Sequence, residues 1–257
     1  MDSAGDFESE VTSWLKTVLK KENVDKFSIN LFGNSDKDGY MGDIIFVGVT
    51  ATTATGLAKK YDLVLKCSKR NQILRETSPV VAAFHNEISF YDTVLPAFTR
   101  FQKGKGITDP FDSVPKCYGT LIGDNTEVIV FENLKNVGYS LWDKKKPEDI
   151  GDLDVILKGY YESLTDYTRR LGSDSETLYQ FDNFLEDWKR FSRFGILMSC
   201  MVIKIVSTEA DEVIDMAQVA DSSEGISKAF LYEVKNKNVL KNRMSYIVKY
   251  AVDHDLI

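Results

Sequence analysis

The stretch Tyr61-Asp62-Leu63-Val64-Leu65-Lys66 places a lysine at the end of an apolar strand, and Phe84-His85-Asn86-Glu87-Ile88-Ser89-Phe90-Tyr91 places a glutamate one turn from two aromatic residues on one helical face. Each charge sits among core-facing neighbours. Opposite charges in such surroundings are costly unless they meet, and removing one member of a buried pair costs about 3–5 kcal/mol. Taken singly, Lys66 could snorkel to solvent and Glu87 could do nothing in particular. Taken together they predict a strand–helix ion pair, and so a helix packed on a sheet.

Working outward, Phe27 to Phe32 and Ile44 to Thr50 are two further strands, followed by Tyr61 to Lys66 as the third. Short turns join all three, which predicts an antiparallel arrangement. Ser78-Pro79 is expected to open the next helix, with serine as its N-cap. Lys116 to Leu121 and Glu127 to Phe131 read as two more strands. Ahead of the sheet, Phe7, Val11, Trp14, Leu15, Val18 and Leu19 recur at helical spacing, with acids first and lysines last. Beyond it the chain is almost purely helical. Ile150 through Leu171 keep a three-four rhythm that stops at Gly172, a second helix runs from about Phe181 into Met198–Val206, and a third holds Val239 through Ala251. Glu209 to Glu224 is acidic and weakly patterned. The expected class is α+β: a five-stranded antiparallel lobe over 1–134 with its N-terminal helix, then a reduced helical lobe over 135–257.

Composition narrows the function classes. Of 257 residues, 43% are hydrophobic and 12% aromatic, enough for a core, and the formal net charge is -7. No basic face suited to nucleic acid is visible, and Lys144-Lys145-Lys146 reads as a solvated turn. Three scattered cysteines and two histidines leave no zinc spacing. The start Met1-Asp2-Ser3-Ala4-Gly5-Asp6 has no leader pattern, and Phe194 to Val206 is too short to span a bilayer. The expectation is a cytoplasmic protein with no membrane or nucleic-acid partner.

Two more segments carry chemistry. Asp38-Gly39-Tyr40-Met41-Gly42 lies in the turn between the first two strands, where glycines let backbone N–H groups approach an anion. No Lys-Ser/Thr and no helix follow, so it is not a Walker A loop. Val128-Ile129-Val130-Phe131-Glu132-Asn133-Leu134 runs from an apolar strand into a polar connector. That is either the plain end of a sheet or a hinge whose backbone bonds an adenine edge.

The set Gly39-Tyr40-x-Gly42, Leu65-Lys66, Phe84-x-x-Glu87-x-x-Phe90-Tyr91-x-x-x-x-Pro96 and Phe131-Glu132-Asn133-Leu134 resembles the ecdysteroid-kinase-like (CHK kinase-like) family of insects. That family belongs to the choline-kinase and aminoglycoside-phosphotransferase group, with its protein-kinase-like fold. Gly159-Tyr160-Tyr161-Glu162-Ser163-Leu164, Arg170-Leu171-Gly172, Phe191-x-x-Phe194-Gly195 and Asn242-Arg243-Met244-x-x-Ile247-Val248 extend the resemblance to the helical half. It implies that Gly39, Tyr40 and Gly42 cover the phosphates of ATP and that Lys66 contacts the α/β-phosphates. Glu87 would orient Lys66, and Glu132 to Leu134 would form the hinge. Asn133 stands where members commonly carry Asp, which is expected to weaken polar contacts of the hinge loop.

The larger departure is an absence. Transfer of this type needs an Asp to take the substrate proton and an Asn and a second Asp to hold Mg²⁺. In the family these fall between the hinge and the Tyr-Tyr helix, where this chain has only the residues 135–159 and no histidine. Gly5-Asp6-Phe7-Glu8 precedes the sheet, and Asp182-Asn183-Phe184 lies in a later helix. The chain reads as a pseudokinase with its catalytic block excised between Lys146 and Asp154. No catalytic residue and no metal ligand can be named, ATP binding is expected to be weak, and no Mg²⁺ site is evident. Three alternatives are an active kinase recruiting Asp182 or Asp187, a module that binds a small hydrophobic ligand or a protein partner at the exposed cleft, and a splice form or incomplete gene model of a longer kinase.

Overall fold

A computed structural model describes residues 4–34, 42–53, 56, 58–140, 153–208, 212 and 233–257. The expected Gly39-Tyr40 turn, the junction after Lys146 up to Asp152 and nearly all of the acidic Glu209–Glu224 stretch lie outside the described residues. The chain divides into two compact units. Among the described residues one holds 4–98 and 112–140, and the other holds 99–111, 153–212 and 233–257.

The first unit is a five-stranded antiparallel sheet between helices. Its strands are β1 (Val24–Asn34), β2 (Gly42–Thr53), β3 (Ala58–Ser68), β4 (Cys117–Gly123) and β5 (Thr126–Glu132), ordered β1-β2-β3-β5-β4. All five expected strands are present, each longer than its apolar stretch. β3 decides what lies on each face. Leu63, Leu65 and Cys67 point one way and are buried under α1 (Ala4–Leu19), whose Val11, Leu15, Val18 and Leu19 meet them with Ile45, Val47, Val49, Val128 and Val130. Val64, Lys66 and Ser68 point the other way, because side chains alternate along a strand.

That second face carries α3 (Val80–Ser89), whose Val80, Phe84 and Ile88 pack on Ile129 and Phe131. Before it comes α2 (Gln72–Thr77), which the sequence reading missed: six residues with a single buried side chain, Leu74, are too few to show a period. Asn71 caps α2 by accepting the Leu74 N–H at 2.8 Å. Ser78, expected to open α3, instead closes α2, its hydroxyl donating to the Leu74 carbonyl at 2.5 Å, and Pro79 takes the N-cap position of α3. The helix continues through a π turn, Phe90–Val94, into α4 (Leu95–Gly104).

One buried ion pair ties α2 to the sheet. Arg75 donates to both carboxylate oxygens of Glu127 on β5, at 2.8 and 2.9 Å, and also to the Ser68 hydroxyl and the Lys69 carbonyl. The two side chains are only 10% and 3% exposed. The Arg75 hydrogen bonds hold the Glu127 carboxyl below its ordinary value of 4.5, although burial opposes them. The same bonds raise Arg75, so the shifts of the two partners agree. His85 Nε2 of α3 lies 3.7 Å from Glu127 Oε1. His85 is half exposed, with its ring turned towards Glu127.

In the second unit α5 (Leu153–Arg170), α6 (Ser175–Leu178), α7 (Phe181–Val206) and α8 (Lys237–Asp253) account for the expected helices, with α6 added. Tyr160, Tyr161, Tyr179, Phe181 and Phe184 form an aromatic cluster linking α5 and α7. Buried Gln102 accepts from the Phe111 N–H at 2.8 Å and from the Tyr167 hydroxyl, fixing the end of α4 to α5. Asp187 accepts the Tyr179 hydroxyl at 2.8 Å, and Asp182 sits in the first turn of α7, where an acid suits the helix dipole.

Gly42 shows how tightly α3 sits. A Cβ there would lie 2.7 Å from the Cys67 carbonyl oxygen and 2.9 Å from the Phe84 ring. Gly42→Ala is therefore expected to cost about 1–3 kcal/mol through overpacking, read as a lower urea midpoint with unchanged slope. The Glu127 contribution has a defined pH window. A depressed folded pKa stabilises above the unfolded value and is lost as pH falls through the folded one. Stability should decline as pH drops below 4.5, the unperturbed value. A Glu127→Gln/Arg75→Met variant should show a shallower acid limb in urea titrations from pH 6 to pH 3 (about the window of a titrating carboxylate).

Candidate functional site

The sheet lobe brings Lys66 and Glu87 together, as their spacing predicted. Lys66 Nζ stands 2.5 Å from Glu87 Oε2. β3 supplies the lysine on the face away from α1, and α3 supplies the glutamate three residues after Phe84, whose ring lies 5.6 Å from the ammonium. The pair is not buried as expected: the two side chains are 35% and 30% exposed. An accessible pair of this kind contributes about 0–1 kcal/mol, and the cost of isolating a buried charge applies to Arg75 and Glu127 instead. Exposure is also what a cation needs if it is to meet a ligand.

Register places the rest of this face. Lys66 pairs with Ile44 on β2 and Ile129 on β5, and Val64 pairs with Phe46 and Phe131. The apolar patch beside the lysine is thus Ile44, Phe46 and Val64, with Lys135 Nζ 4.8 Å over the Phe46 ring. Gly42 begins β2 opposite Ser68, two residues before Ile44. Its missing side chain is already accounted for by Phe84. Gly39 and Tyr40 lie outside the described residues.

The connector after β5 is more ordered than its sequence suggested. Glu132 donates its N–H to the Lys116 carbonyl at 2.9 Å, and its carboxylate accepts the Lys116 N–H at 2.6 Å, so the side chain belongs to the junction with β4. Asn133 donates its N–H to the Asp62 carbonyl at 3.0 Å. Its side-chain oxygen caps the following 3-10 turn, Leu134–Val137, by accepting the Lys135 N–H at 3.1 Å. Its amide nitrogen lies 3.4 Å from the Asp62 carboxylate, which also accepts from the Asn136 amide. Polar contacts here are not weakened by Asn133: an Asp in its place would set a second carboxylate against Asp62. The Leu134 N–H meets no acceptor among the described residues and is the connector's available donor.

An open cavity of about 340 Å³ adjoins this connector through Asp62, and Asn30, Phe32, Gly48, Thr50 and Lys60 also line it. Lys66 is not among its lining residues. The side chains present fit the anionic and aromatic parts of a nucleotide: a solvent-accessible ammonium, an apolar patch and a free backbone donor. Among the described residues no three His, Cys, Asp or Glu side chains group as an ion would require. Arg75 and Glu127 are the residues that sequence reasoning missed. The available signal was β5 itself, in which Glu127 leads straight into Val128-Ile129-Val130-Phe131. An acid inside a run that reads as core on both faces demands a cation.

No helix among the described residues is long and apolar enough to cross a membrane. No curated protein and no solved structure matches the chain. A sequence model of the ecdysteroid kinase-like family matches residues 36–172, which is more than half of the chain and takes in β2 through α5. The strand lysine, the helix glutamate and the connector after β5 all fall within that match, and the chain belongs to the ecdysteroid kinase-like family.

Proposed function

We propose that this chain is a nucleotide-binding member of the family that does not transfer phosphate. The observation that carries the reading is the Lys66–Glu87 contact at 2.5 Å, formed on an accessible sheet face. Glutamate holds the ammonium where an α/β-phosphate would meet it, and charge-assisted contacts of this kind are the strong ones. Ile44, Phe46 and Val64 offer the base an apolar surface, and the Leu134 N–H offers its edge a donor. Glu132 would contribute backbone only, since its carboxylate is engaged with Lys116.

The case against turnover comes from the sequence. Phosphoryl transfer depends on positioning and on charge stabilisation by a base and metal-bound carboxylates. Residues 135–159 are all that separate the connector from Tyr160, and they contain no His-Gly-Asp loop. Of the two carboxylates considered for recruitment, Asp187 accepts the Tyr179 hydroxyl and Asp182 lies in the first turn of α7, in the helical unit.

Titration with a fluorescent ATP analogue tests the binding. Saturable, weak binding is expected, little changed by Mg²⁺, and weakened on the order of tenfold by Lys66→Ala through loss of one charged contact. Tight binding that requires Mg²⁺ would overturn it. ADP release from Mg²⁺-ATP in the presence of hydroxylated small molecules should not exceed that of the Lys66→Ala control, and release above that control would establish an active enzyme.

A further inference from the structure

The packing of α3 on the sheet is apolar: Val80, Phe84 and Ile88 rest on Ile129 and Phe131, and apolar attraction by itself has no preferred direction. Glu87, however, must arrive within hydrogen-bond distance of Lys66. A constraint with direction is needed, and the Arg75 guanidinium has one. Its planar fork bonds both oxygens of Glu127, and one arm also reaches the Ser68 hydroxyl and the Lys69 carbonyl. Ser68 lies two residues beyond Lys66 on the same face of β3, and Glu127 lies two residues before Ile129, the β5 partner of Lys66. The Ser68 hydroxyl also accepts the Glu127 N–H at 3.0 Å, so the three residues form one unit. α2 ends at Thr77 and α3 begins three residues later at Val80, which leaves little slack between Arg75 and Glu87. His85, on α3 itself, adds a second approach to the same carboxylate.

We infer that Arg75 and Glu127 are positioning residues: their buried pair sets the placement of α3 so that Glu87 meets Lys66. A buried ion pair is seldom more stabilising than apolar residues of the same volume, and its use is to specify geometry. The inference rests on reading Lys66 and Glu87 as the phosphate-handling pair.

Zero-length cross-linking tests it without any nucleotide. A water-soluble carbodiimide activates the Glu87 carboxylate as an O-acylisourea, and the Lys66 amine displaces the urea to leave an amide. Mass spectrometry quantifies the joined peptides in the full chain. In Arg75→Met/Glu127→Leu, which removes both charges together, the wild-type melting temperature should be retained while the cross-link yield falls about fivefold or more, as a site loosened by an ångström would. Wild-type yield in that folded variant would overturn the inference. If the double variant does not fold, Arg75→Lys keeps the charge and loses the fork; a reduced yield supports the inference and an unchanged one overturns it. ATP-analogue affinity supplies the second arm. Arg75→Lys should weaken binding in the wild-type background and add nothing in a Glu87→Gln background, whereas equal losses in both would show that Arg75 does not act through Glu87. A wild-type chain that binds no nucleotide refutes the proposed function, and the cross-link then decides the inference alone.

Discussion

The period of two along β3 is the constraint from which the sheet lobe follows. Leu63, Leu65 and Cys67 must be covered, and α1 covers them; Val64, Lys66 and Ser68 then have to face the opposite side, where α3 lies. A slip of one residue would turn Lys66 into the dry interface with α1 and expose two leucines. The long pairing of β2 with β3, from Gly42 opposite Ser68 to Thr52 opposite Ala58, holds that register. Three contacts of the candidate site depend on it, because Ser68, Lys66 and Asp62 are the points at which β3 meets the Arg75–Glu127 pair, the Glu87 carboxylate and the connector.

The two ion pairs on this face divide the labour. Arg75 and Glu127 are nearly sealed from water and satisfied by four donor–acceptor contacts, so little about their geometry can change. Lys66 and Glu87 are one-third exposed and joined by a single contact, so an incoming anion could share the ammonium. Rigidity at one end of α3 and accessibility further along it suit a site that holds a ligand. The connector follows the same rule. Asp62, Asn133 and Asn136 lock its course, and its remaining free donor belongs to Leu134.

Much of this was legible in the order of residues. An apolar strand ending in lysine and a helix carrying glutamate beside Phe84 have one economical arrangement, and the sheet has it. Apart from the four-residue α6, the helices of the second unit followed from three-four spacing, down to the ends of α7. What escaped was whatever lacks a period. α2 is too short for one, so Ser78 looked like the start of a helix rather than the end of another. Glu127 opens an apolar strand, and its partner sits 52 residues earlier in a stretch with no pattern. The burial of Lys66 and Glu87 was overestimated for a related reason: apolar neighbours along the chain do not reveal that a face is left open in space.

Gly42 and Phe84 occupy what is in effect a single volume divided between strand and helix. The ring and the Cys67 carbonyl oxygen together close off the place of a methyl, and the backbone oxygen stays where it is when the ring shrinks, so glycine is required there whatever stands at position 84. Among relatives this would appear as a loop-end glycine kept even where the helix aromatic changes. A glycine retained there reports on the seat of α3, and its presence alone is no measure of how well the loop grips a phosphate.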